Sequence, residues 1–149
     1  MDSSLRDKVV VVAGAGTGIG RATARLFTRQ GAQVVAVGRR AEPLAEAAAG
    51  NDGIHPLTAD IAAEGAAEEI VCAVMESHGR LDVLVNNAGI VGGGTLGTFT
   101  RDLVEPPLAT NLVAPVMLAQ AALPALEVGG GVIVNVTTSV GQRGHPGST

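Results

Sequence analysis

The chain has 149 residues, enough for one domain that buries roughly 68–70% of its unfolded surface. A formal net charge of −4, a pI near 5.2 and no basic cluster larger than Arg39-Arg40 argue against nucleic acid as a partner. Two aromatics (Phe27 and Phe99) and one cysteine exclude an aromatic core and an internal disulfide, leaving Val, Ala, Leu and Ile to fill a helix-covered parallel sheet.

The first predicted strand, Lys8–Ala13, runs into Gly14-Ala15-Gly16-Thr17-Gly18-Ile19-Gly20, and an amphipathic helix follows over Ile19–Gln30. A strand, a glycine-rich turn and a helix in that order make a phosphate cradle. N–H groups at the helix N-terminus point at an anion, and glycines let a pyrophosphate approach without a Cβ in the way. The common G-x-G-x-x-G spacing is absent. The chain has G-x-x-x-G-x-G at Gly14, Gly18 and Gly20, and G-x-G-x-G at Gly14, Gly16 and Gly18. The second pattern resembles the loop of nucleoside-methyl-donor methyltransferases, but Val12 and Gly38 stand where those enzymes carry acids. A turn without a ligand is the plainest alternative, and three spaced glycines between strand and helix argue against it.

The alternation then continues. Strand Gln33–Val37 leads to helix Glu42–Ala49, strand Ile54–Leu57 to helix Ala62–Ser77, and strand Leu81–Val85 to a glycine loop at 92–94. A long helix spans roughly Pro107–Leu126, a second glycine loop covers 129–131, and Val132–Val136 is the fifth strand. This order predicts βαβ units in an α/β, Rossmann-type doubly wound parallel sheet, a single domain over 1–149. The sheet is expected to be incomplete at about five strands, with the last left as an exposed edge; the sequence reads as if it stops in mid-fold. Pro106-Pro107 is expected at the start of the long helix, where a missing N–H costs no bond. Cys72 falls in a helical pattern and is expected to be a small buried residue. The Val9–Ala13 run is far short of the ~20 apolar residues a spanning helix needs, so a cytoplasmic protein without a membrane partner is expected.

Cofactor choice is set after the second strand, where a residue about 20 positions past the glycine loop meets the adenosine ribose. An acid there accepts from the 2′-hydroxyl and repels a 2′-phosphate. The chain has Val37-Gly38-Arg39-Arg40 instead, and guanidinium groups offer a planar fork of donors suited to phosphate. The preference expected is NADP(H) over NAD(H); the bland alternative is a solvated surface pair. His55, His78 and His145 are isolated and suggest no metal site.

Together these segments resemble the N-terminal, cofactor-binding portion of a short-chain dehydrogenase/reductase (SDR). The family's T-G-x-x-x-G-I-G is matched by Ala13 to Gly20, with alanine replacing the leading threonine. Asp60-Ile61 resembles the pair whose carboxylate accepts from the adenine amino group, and Asn86-Asn87-Ala88-Gly89 is similar to the N-N-A-G that braces the sheet beside the cofactor. Asn111 resembles the long-helix asparagine that completes the family's proton relay. The family's carbonyl-polarising serine falls by register on Thr138, with Ser139 one residue late, and both hydroxyls stay open.

The resemblance implies cofactor contacts at Gly14, Thr17, Gly18, Ile19, Gly20, Asp60, Ile61, Asn87, Ala88 and Gly89, joined by Arg39. It implies catalytic roles for Asn111 and for Thr138 or Ser139, a small carbonyl or alcohol substrate, and a homo-oligomer formed through the long helix. The family's proton donor is the tyrosine of Y-x-x-x-K, which would fall just beyond Thr149; the chain has no tyrosine, and its lone lysine is Lys8. The expectation is therefore an oxidoreductase for carbonyl/alcohol pairs whose reaction these 149 residues alone do not complete. A non-catalytic dinucleotide-binding or interaction module is the alternative.

Overall fold

The computed structural model describes residues 5–138. Five strands, β1 (Val9–Ala13), β2 (Gln33–Gly38), β3 (Ile54–Thr58), β4 (Val83–Asn86) and β5 (Val132–Asn135), form one sheet in the order β3-β2-β1-β4-β5. Every pairing is parallel, with Val11 level with Val35 on one side and Leu84 on the other.

The side-chain period of two explains why the apolar run of β1 is continuous. Val9, Val11 and Ala13 face one layer, with α3 (Ala66–His78) and α5 (Ala114–Gly129) contributing Ile70, Val74, Leu118, Ala122 and Leu126. Val10 and Val12 face the other layer, with Ala24 from α1 (Gly18–Arg29) and Leu44 from α2 (Ala41–Ala48). The sheet is thus covered on both faces around β1, as a doubly wound fold requires. β5 lies at the edge and all four of its residues are exposed.

Three expectations need correction. Helix α3 starts at Ala66, four residues later than expected, because Asp60 turns the chain first: its Oδ1 accepts from Ala62 N at 3.0 Å and its carbonyl accepts from Ala63 N at 3.0 Å. The long helix starts at Arg101 as α4 (Arg101–Leu108), so Pro106 and Pro107 lie inside it instead of opening it. Neither proline can donate to the carbonyl one turn back, and the helix carries that loss at its exposed first turns. Cys72 is exposed; Glu76, one turn on, receives its thiol at 3.5 Å and pushes its pKa up. Smaller shifts move β4 two residues towards the C-terminus at its start and end β5 at Asn135.

Between α4 and α5 lies a π-helical segment, Ala109–Val113. It has a chemical cause. Pro115 lacks the N–H that would close an ordinary α-helical bond onto the Asn111 carbonyl, and Ala114 N bonds to the Ala109 carbonyl in the wider register. The combined helix, Arg101–Gly129, has 29 residues and contains an 18-residue stretch with a mean hydropathy of 1.6, so by length and composition it is long and apolar enough to cross a membrane. Its stripe of Ala114, Leu118, Ala122 and Leu126 nevertheless packs into the sheet layer as a core helix does.

Candidate functional site

A cleft of about 540 Å³ opens at the carboxyl ends of the strands, within the range of small-molecule and cofactor sites. The loops after β1, β2, β3 and β4 all reach it. It lies where the strand order reverses, between β1 and β4, which is where open α/β sheets hold ligands.

The glycine loop forms the floor. Gly14 has φ +76°, and a Cβ there would lie 2.7 Å from the Ala88 Cα, so the loop after β1 and the loop after β4 touch through backbone alone. Asn87 fixes that approach, donating from Nδ2 to the carbonyls of Ala13 at 3.3 Å and Gly14 at 3.2 Å. Thr17 caps α1 with extended backbone and makes no side-chain cap bond, and the first turn holds no acid. The helix-end N–H groups therefore remain available to an anion, with the helix dipole in favour of one.

Charge is distributed to match. Arg39 and Arg40 lie on the cleft rim, exposed, and Asp60 borders the next loop. Ile61 borders the cleft while its side chain joins the core, and Ile19 stands 66% exposed at the mouth.

The structure brings Gly14, Thr17, Gly18, Ile19, Arg39, Asp60, Ile61, Asn87, Ala88 and Gly89 together around this one cleft. Gly20 is not among its walls. A Cβ on Gly20 would collide with the Gly14 carbonyl and the Asn87 amide, so this glycine lets α1 pack against the loop and acts one layer below any ligand. Gly16, which the sequence offers only as part of the glycine run, also lines the cleft, as do Pro43, Leu44, Ala59 and Thr110. Gly16 and Ala59 neighbour residues that the sequence singles out, whereas Pro43 and Thr110 carry no signal that short-range patterning could find.

Asn111 lies in the π-helical segment, next to the cleft through Thr110. Its side chain is engaged at both ends, with Oδ1 accepting from Ile90 N at 2.9 Å and Nδ2 donating to the Ile90 carbonyl at 2.8 Å. That pair holds the loop after β4 against the helix. Asn86 is buried beneath it and donates to Asn135 Oδ1 at 2.9 Å, linking the ends of β4 and β5. Among the described residues, Asn86 Oδ1 is the buried side-chain atom without a hydrogen-bond partner. Thr138 is exposed three residues past β5, and Ser139 and His145 lie outside the described residues.

The profile of the short chain dehydrogenase family matches residues 8–149. The chain belongs to that family. It is 35% identical over 150 residues to an uncharacterized oxidoreductase of Thermotoga maritima, covering 96% of this chain and 58% of that one. A crystal structure from Sinorhizobium meliloti 1021, assigned as a short-chain alcohol dehydrogenase, superposes with a TM-score of 0.92 at 29% identity, covering 100% of this chain and 61% of the other. A metagenomic short-chain oxidoreductase in complex with NADP superposes with a TM-score of 0.85 at 36% identity, covering 91% and 64%. The SDR chain thus spans between 58% and 64% of the lengths of these relatives.

A dinucleotide fits what the residues offer: an acid-free, uncapped helix start suited to a phosphate, guanidinium groups on the cleft rim, and a wall kept thin by glycine.

Proposed function

We propose that this SDR chain is the NADP(H)-binding part of an oxidoreductase that moves hydride between the nicotinamide and a small carbonyl or alcohol. The observation that carries the reading is the cleft at the strand-order reversal, with the α1 N-terminus on its floor and Arg39-Arg40 on its rim. When bound, the nicotinamide would supply the hydride. The protein's part is to hold and orient. Gly14, Thr17, Gly18 and Ile19 would cradle the pyrophosphate, Arg39 the 2′-phosphate, and Asp60-Ile61 the adenine. Asn87, Ala88 and Gly89 would shape the floor towards the nicotinamide.

A carbonyl that accepts hydride must also accept a proton. Thr138 or Ser139 would polarise the carbonyl oxygen. Asn111 would serve as a positioning residue through Ile90, its side-chain amide holding the loop after β4 against the long helix. None of the 149 residues is a tyrosine, so the acid of Y-x-x-x-K has no counterpart among them. We therefore expect these residues alone to bind cofactor without turning substrate over, in a cytoplasmic setting. That same count favours a second reading, a binding module with no reaction of its own.

Titration with NADPH and NADH tests the cofactor assignment. Replacing both Arg39 and Arg40 with Ala should weaken NADPH by about ten- to a hundredfold and NADH by less than about threefold, the difference reporting a charge-assisted phosphate contact. An equal loss of both would show that the arginines do not read the 2′-phosphate. Turnover of a carbonyl panel by a longer chain carrying Y-x-x-x-K separates the two readings, since the binding module predicts none. Of the long-helix residues expected to pair in a homo-oligomer, Leu118 and Leu126 are buried against the sheet, so Val116 and Leu123, which are exposed, would carry the contact; a monomer on sedimentation counts against it.

A further inference from the structure

Arg21 stands one turn into α1, beside a cleft rich in phosphate-binding features, yet its guanidinium is directed into the protein. Nε donates to the Gly16 carbonyl at 2.8 Å. One terminal nitrogen donates to Glu46 Oε2 at 2.8 Å and reaches the Pro43 carbonyl at 3.4 Å. Gly16 belongs to the glycine loop and Pro43 to the first turn of α2, and each forms a lip of the cleft. The lips meet here: a Cβ on Gly16 would lie 3.0 Å from Pro43 Cβ. Arg25, one turn further along α1, reinforces the same junction by donating to the carbonyls of Ala47 at 3.2 Å and Glu46 at 2.6 Å.

We infer that Arg21 is a positioning residue that fixes the distance between the glycine loop and the Arg39-Arg40 rim. The inference rests on the NADP(H) reading above. A planar fork suits this task, because one rigid group meets a carbonyl on the first lip and a carbonyl with a carboxylate on the second. A ligand with its pyrophosphate on one lip and its 2′-phosphate on the other depends on that distance. A ligand that touches only the rim does not. Small errors of placement are expensive for a ligand that must meet two sites at once.

The test is calorimetric titration of wild type, Arg21→Gln and Arg21→Lys with NADPH and with adenosine 2′-monophosphate, which reaches only the rim; thermal melts report folding. Arg21→Gln should weaken NADPH about tenfold or more and leave the monophosphate within about twofold. Arg21→Lys should fall between, since a point charge keeps Glu46 but cannot hold both carbonyls. Unchanged NADPH affinity in Arg21→Gln, or equal loss of both ligands, would overturn the inference. If Arg21→Gln does not fold, Arg21→Lys decides alone: wild-type affinity for NADPH overturns the inference, and a loss confined to NADPH supports it. Wild type that binds NADPH but not the monophosphate removes the rim premise and overturns the inference alone. Wild type that binds neither nicotinamide cofactor removes the cofactor reading and the inference together.

Discussion

The two ends of the central strands β1 and β4 are built on opposite plans. At the amino end, Asp82 is buried and its carboxylate accepts from Val9 N at 2.9 Å, Lys8 Nζ at 3.0 Å, and Arg80 Nε and a terminal nitrogen at 2.8 and 2.6 Å. Both cations and the backbone donor are used internally. At the carboxyl end, the first turn of α1 has no side-chain cap, Arg39 and Arg40 are exposed, and the wall is glycine. One end satisfies its polar groups to hold the sheet together, and the other leaves them open to a ligand. Stability and binding should therefore respond to different residues.

The largest expected effect breaks that separation at a position where both depend on the same atoms. Gly20→Ala would place a methyl group against the Gly14 carbonyl and the Asn87 side-chain amide, and the nearer of the two is backbone. Overpacking of that kind costs about 3 kcal/mol, occasionally more. Urea denaturation and NADPH titration should fall together, by that amount in stability and by far more than tenfold in affinity. Loss of stability with intact affinity would mean that the glycine loop is not held by Gly20.

Asp82→Ala should sharpen the contrast. It leaves Val9 N buried without its side-chain acceptor and releases Lys8 and Arg80, whose side chains are 35% and 49% exposed and so readily rehydrated. The expected loss is about 2–3 kcal/mol in denaturation, with cofactor affinity per folded molecule unchanged. The pH dependence has a definite sign. Burial works to raise the Asp82 pKa, but Arg80, the Val9 N–H and Lys8 outweigh it and hold the pKa at about 2, against an ordinary 3.8. A carboxyl with a depressed folded pKa stabilises above its unfolded pKa, and that contribution is lost as pH falls from about 4 towards about 2. With its partners partly solvated, the contribution is about 2 kcal/mol. Acid unfolding of wild type should show this slope, and Asp82→Ala should lack it; equal slopes would sink the assignment.

Much of the carboxyl end was legible in sequence because its elements are local: an apolar run, a glycine turn and a helix within Lys8–Gln30, and an Asn-Asn-Ala-Gly after a strand. The amino end was not. Lys8 and Asp82 are 74 residues apart, and nothing in a short window marks an acid between Leu81 and Val83 as a buried clasp. Gly20 was legible as part of a motif but not in its role, since the neighbour it accommodates is the loop's own backbone. The proline pair points to a helix start because proline favours first turns, and the true start at Arg101 has a cap residue, Thr100, that makes no side-chain bond to advertise it. Asn111 stands out in sequence only through its family resemblance, and its engagement with Ile90 spans 21 residues, beyond the reach of local patterning.

Asn111 belongs to neither plan, and this makes it the finest test of the comparison. Its amide is satisfied like the groups of the amino end, yet it stands at the carboxyl end beside Gly89, whose Cβ position lies 3.5 Å from Asn111 Oδ1. The side chain is exposed, so water can replace both of its bonds, and Asn111→Ala should cost only about 1 kcal/mol in denaturation. The effect should appear locally instead. The Ile90 amide donates to Asn111 Oδ1, so its hydrogen exchange should accelerate while the amides of β1 and β2 keep their wild-type rates. NADPH affinity should fall by only about threefold, because the pyrophosphate and adenosine contacts lie on other loops. Unchanged exchange at Ile90 would mean that the loop after β4 is held by Asn87 alone, and Asn111 would then lose its role as the link between the long helix and the cleft.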